Sequence, residues 1–86
     1  MDAVKLLADG TIKATGLILR DRGIDPLNHV DELAEATKAT LTENLSAVMA
    51  EWKEATDAFM SEAWLRKLVN AQCNEMALKV VERINL

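Results

Sequence analysis

Few side chains in this 86-residue chain are equipped for chemistry, and their spacing limits what they can do. His29 is the only histidine and precedes Glu32 by three residues, which puts both on one face of a helix. Metal-binding helical bundles use Glu-x-x-His on two helices together with two further glutamates. Here the order is reversed and no second histidine exists. No metal or other cofactor is therefore expected, and His29 reads as an exposed residue of a first helical turn. Cys73, the only cysteine, has no histidine near it in sequence, and a nucleophilic thiol needs an activating environment. It falls among apolar residues, where a free cysteine behaves as a small hydrophobe. Glu51, Glu54 and Asp57 recur at three-residue steps beside Lys53. Carboxylates so placed do acid–base work only in a site that shifts their pKa values; a solvated helix face is expected instead. No catalytic residues are expected, and the protein reads as a non-enzyme.

The charges point to contacts rather than to chemistry. Residues 1–23 carry three acids and four bases, residues 24–63 nine acids and two bases, and residues 64–86 two acids and four bases. An acidic middle thus lies between two mildly basic ends, and packing the ends against the middle is favourable, at ~0–1 kcal/mol for each exposed pair. Arg20, Arg22, Arg66 and Lys67 are the expected contacts for an anion or a partner, with Lys5 and Lys13 as further cations. Nucleic acid is an unexpected partner, because a helix opening with Asp31, Glu32 and Glu35 would present carboxylates to phosphates. Lipid coating is disfavoured by the same acidic polar face.

These residues have to be positioned by helices. Half the chain is hydrophobic, Pro26 is the only proline, and no alternating β-branched run suggests a strand. The fold class is all-α: a single domain in which a helical hairpin leads into a long central helix and a C-terminal helix, assembled as an oligomeric bundle. Helix 1 is expected over about 2–22, weakened at Gly10, with Gly16 permitting a close helix approach. Arg20 and Arg22, then Gly23 and Ile24, read as a helix end. Asp25 and Pro26 read as a helix start. Helix 2 is expected over about 26–60, with at most a bend near the threonines at 37–42. Its apolar stripe runs Val30, Ala34, Thr37, Leu41, Leu45, Val48, Trp52, Ala55, Phe59 and Ala63, with an eleven-residue repeat that keeps it nearly straight. Such a stripe needs a long partner. Ser61 is a candidate cap for helix 3, about 62–84. An unbroken helix over 26–84 would instead measure about 88 Å.

Helix 3 is apolar over more than half its circumference, a pattern of burial on more than one side. Trp64, Leu65, Leu68, Val69, Met76, Val80 and Ile84 are accordingly the expected self-association surface. The single cysteine excludes a disulfide framework. Neither a signal peptide nor a membrane span is apparent, so a cytoplasmic location is expected. The expected function is a small helical interaction protein (adaptor, inhibitor or assembly factor) that works as a homo-oligomer with one protein partner. The alternatives are an oligomeric bundle that sequesters a small anionic ligand at a subunit junction, and a nucleic-acid-binding regulator.

Overall fold

The turn after the first helix shows how closely local sequence sets the architecture. In the computed structural model, which describes residues 3–57 and 61–84 apart from the side chains of residues 3, 55, 56, 62 and 65, helix α1 spans Ala3–Asp21. Gly23 takes φ +77°, a left-handed conformation that glycine adopts without a Cβ penalty. Its amide donates to the Arg20 carbonyl at 2.9 Å, and the Ile24 amide donates to the Leu19 carbonyl at 2.9 Å. This is the paired bonding of a Schellman end, and Ile24 packs on the cluster that contains Leu19. The Asp25 carboxylate then accepts from the Leu27 amide at 3.0 Å. Pro26 opens a short 3-10 turn, Pro26–His29, which runs directly into α2, Val30–Asp57. The expected stop, turn and start are all present.

Helix α3 covers Glu62–Arg83. The Ser61 hydroxyl accepts from the Trp64 amide at 3.3 Å, the cap its position suggested. The chain therefore does not run on as one helix. Among the described residues there are three α-helices and no strand. Helix α1 is unbroken at Gly10, and α2 is unbroken through Thr37, Thr40 and Thr42.

Two apolar clusters hold the helices together. At one end Leu7 of α1 meets Val48 of α2 and Cys73 and Met76 of α3. At the other end Leu19 meets Leu33 and Ala36 of α2 and Val80, Val81 and Ile84 of α3. Burying a side chain such as Leu7, Leu19 or Val80 stabilises by ~1.5–3 kcal/mol. The wide apolar arc of α3 is thus shared by two helices of its own chain, which accounts for its breadth without a second copy. Between the clusters in sequence lie buried Thr11, Thr15, Thr37 and Thr40 with Ala77. Thr15 donates to the Thr11 carbonyl at 2.7 Å, while the hydroxyls of Thr11, Thr37 and Thr40 are buried without a partner.

Two expectations are corrected here. The glycine that admits a close helix approach is Gly10, not Gly16. A Cβ at position 10 would lie 2.5 Å from the Cys73 sulfur, whereas one at position 16 would meet nothing nearer than Pro26 Cγ at 4.0 Å. The α2 stripe is also only partly core: of its residues Thr37 and Val48 are buried, Leu41 and Leu45 are half-buried, and Val30, at 55%, and Ala34 are exposed, while Leu33, Ala36 and Thr40 beside the stripe are buried. The face that α2 turns to α3 is rotated from the stripe's centre, because α3 packs on one flank of it. Phe59 and Met60 lie outside the described residues.

Candidate groove between the first two helices

The part of the stripe that α2 does not bury has a definite place. Val30, Ala34, Leu41 and Leu45 line the space between α1 and α2, opposite Val4, Ala8, Ile12 and Leu17. One section, about 520 Å³, is bounded by Ile12, Gly16, Leu17, Pro26, Leu27 and Val30. A second, about 350 Å³, is bounded by Val4, Ala8, Leu41 and Leu45. Ile12 and Ala34 belong to both sections, so the two lie end to end along the helices. Ile12 is 50%, Leu17 62% and Leu27 74% exposed. Exposed apolar surface of this kind recurs at protein-interaction sites and in ligand grooves.

The groove follows from local sequence. The Schellman end and the Asp25–Pro26 start bring Leu27 and Val30 back beside Gly16 and Leu17. The missing Cβ at Gly16 leaves the floor open there. Lys13 and Arg20 line the first section and Lys38 the second, and neither section includes an Asp or Glu. Sequence reasoning found the stripe but not the groove. The signal was present in Ile12, Leu17 and Leu27, apolar residues outside the core-facing spacing of their helices.

The residues singled out for self-association are dispersed. Met76, Val80 and Ile84 are 2%, 0% and 9% exposed and belong to the chain's own core. Val69 packs on the Leu7 cluster, and Leu68 is half-buried. Trp64 is 50% exposed. The Leu65 side chain lies outside the described residues. The cations do not converge within one chain. Arg20 and Arg22 are exposed at the end of α1, near Ile84, whereas exposed Arg66 and Lys67 lie in the early turns of α3 toward the other end. Arg66 is engaged in an interaction of its own.

The remaining candidates have structural roles. His29 Nδ1 lies 2.8 Å from Glu32 Oε2 in an exposed i,i+3 pair. Among the described residues no group of three or more His, Cys, Asp or Glu is placed to hold a metal ion. Glu51 accepts from Gln72, Asn44 accepts from Lys79 at 3.1 Å, and Glu43 pairs with Arg83. These contacts stitch the acidic α2 to the basic end of α3. Cys73 is 4% exposed, and its thiol faces the Leu7 carbonyl at 3.8 Å. Burial pushes this thiol above its ordinary value of 9.0. A thiol held protonated is a poor nucleophile. No helix among the described residues is long and apolar enough to cross a membrane. The sequence matches no protein family, and comparison with curated proteins and with solved structures returns no significant match.

Proposed function

We propose that this chain is a small, non-enzymatic protein-interaction module, an adaptor, inhibitor or assembly factor, whose working surface is the groove between α1 and α2. In this reading α1, the Gly23–Asp25 turn and α2 act as a helical hairpin that offers the groove to a partner. The observation that carries the reading is the part of the α2 stripe that stays incompletely buried along the groove. Val30 and Ala34 are exposed, and Leu45 and Leu41, half-buried and in Leu41's case also packed on the Leu7 cluster, continue the same helical apolar pattern along the groove. Helix-in-groove recognition is the common use of such a surface. Self-association belongs to the same reading, supported on α3 by Trp64 and Leu78, 50% and 51% exposed.

The test compares the wild-type chain with Leu17→Glu/Val30→Glu, which alters two exposed positions, by native mass spectrometry and sedimentation of protein purified from cells. Circular dichroism checks that both are folded. The expected result is a retained polypeptide, a second copy or a different protein, that the variant loses. A wild-type chain that is monomeric at micromolar concentration and retains no polypeptide would refute the reading.

A second reading, sequestration of a small anionic ligand, is favoured by Lys13 and Arg20 beside an apolar volume of about 520 Å³, within the ~300–1,000 Å³ range of ligand pockets. A retained small-molecule mass in the same spectra would support it. Nucleic-acid binding draws little support, since exposed Asp31, Glu32, Glu35 and Glu43 give α2 a carboxylate-rich outer side.

A further inference from the structure

We infer that the groove takes an acidic amphipathic helix from a partner protein, about sixteen residues long, with carboxylates on both sides of its apolar stripe. The inference rests on the interaction reading above and adds the chemistry of the occupant. Length comes first. The α1 wall of the groove runs from Val4 to Arg20, sixteen steps at 1.5 Å, or about 24 Å. That is a little over four helical turns, enough for four or five apolar anchors at i, i+3, i+4 and i+7 spacing.

Charge identifies the partner. The chain has a net charge of −4, yet the charged residues that line the groove are Lys13, Arg20 and Lys38, all cations. None of the three is held in an ion pair with a described residue. Lys13 and Arg20 come from α1 and Lys38 from α2, so the cations stand on both walls. Lys13 and Arg20 are seven residues apart, about 10.5 Å along the helix. A partner helix with acids at i and i+7 beside its stripe meets both, and an acid on the opposite side of the stripe meets Lys38. Opposed charges steer encounter and fix register more than they add affinity.

The same charges argue against a second copy in this groove. Two grooves packed face to face would bring six cations together without a lining carboxylate. The acidic outer side of α2, offered to a neighbouring groove, carries small exposed residues such as Ala47 and Ala50 rather than large apolar anchors.

The test is selection of helical peptides from a display library, with the positions flanking a fixed apolar stripe randomised, on the full-length chain. Binders that also hold the Leu17→Glu/Val30→Glu variant are discarded. The expected outcome is enrichment of Glu or Asp at seven-residue spacing. The best peptide should bind wild type about tenfold tighter than Lys13→Glu/Lys38→Glu, the scale of two or three exposed pairs, with the difference shrinking at high salt. A version of the peptide with lysines at the flanks should prefer the charge-reversed chain. Lys13→Gln/Lys38→Gln gives an intermediate loss and serves if the reversed variant fails to fold. Groove-dependent peptides with neutral or basic flanks, or affinity indifferent to charge reversal, overturn the acidic partner and leave the interaction module standing. A dimer broken by Leu17→Glu would assign the groove to a second copy and overturn the inference. Failure to select any groove-dependent peptide, with dodecanoate binding there instead, overturns the module as well.

Discussion

Replacing Gly10 and Gly16 separately by alanine measures how tightly α1 is seated on α3. Both lie inside α1, so each substitution gains about 1 kcal/mol of helix propensity. They differ in what the new methyl meets. At position 16 the nearest atom is Pro26 Cγ at 4.0 Å, an open contact; at position 10 it is the Cys73 sulfur at 2.5 Å, with Cys73 Cβ at 3.4 Å. Cys73 is 4% exposed and wedged beside Leu7 and Met76, so the helices must part or the thiol must rotate. Overpacking of this kind costs about 1–3 kcal/mol. Gly16→Ala should therefore raise stability by about 1 kcal/mol, whereas Gly10→Ala should lower it by roughly 0–2 kcal/mol after its propensity gain. Because propensity cancels between the two variants, their difference isolates the packing cost. Thermal unfolding followed by circular dichroism reads it at about 4–8 °C per kcal/mol for a domain of this size. Adding Cys73→Ala should relieve the clash, so Gly10→Ala should be better tolerated in that background than in wild type. If Gly10→Ala were as stabilising as Gly16→Ala, the close approach of α1 and α3 at Gly10 would be refuted.

Two further outcomes follow from the interior. Thr40 is 1% exposed with a partnerless hydroxyl, so Thr40→Val should stabilise by about 1 kcal/mol without changing groove binding; urea unfolding that shows a loss would refute the unsatisfied hydroxyl. Burial raises the Cys73 pKa above 9.0, so the folded state holds this proton more tightly than the unfolded chain. The corresponding stability is fully present below about pH 9 and is lost as pH rises through the folded value. Urea unfolding of wild type against Cys73→Ala should show a steeper alkaline loss in wild type, and parallel curves would remove this role for the thiol.

The amino-acid sequence by itself determined the helical class and the ends of the helices. Arg20 to Pro26 specify their own turn, because a left-handed glycine, an Asx cap and a proline act through bonds within a few residues. Ser61 likewise caps α3 locally. The sequence also laid down the stripe from Val30 onward, since 3.6-residue periodicity is a property of one helix. It left open which flank of that stripe meets another helix. Only the tertiary structure decided that α3 takes the Leu33–Thr40 flank and leaves Val30, Ala34, Leu41 and Leu45 facing a groove. The breadth of apolar surface on α3 was legible, but its assignment was not. Met76, Val80 and Ile84 are equally apolar whether the covering helix belongs to the same chain or to another, and a one-dimensional pattern carries no record of which. Gly10 and Gly16 are likewise indistinguishable in sequence; they separate only when the Cys73 sulfur is found pressed against one and Pro26 at ordinary contact distance from the other.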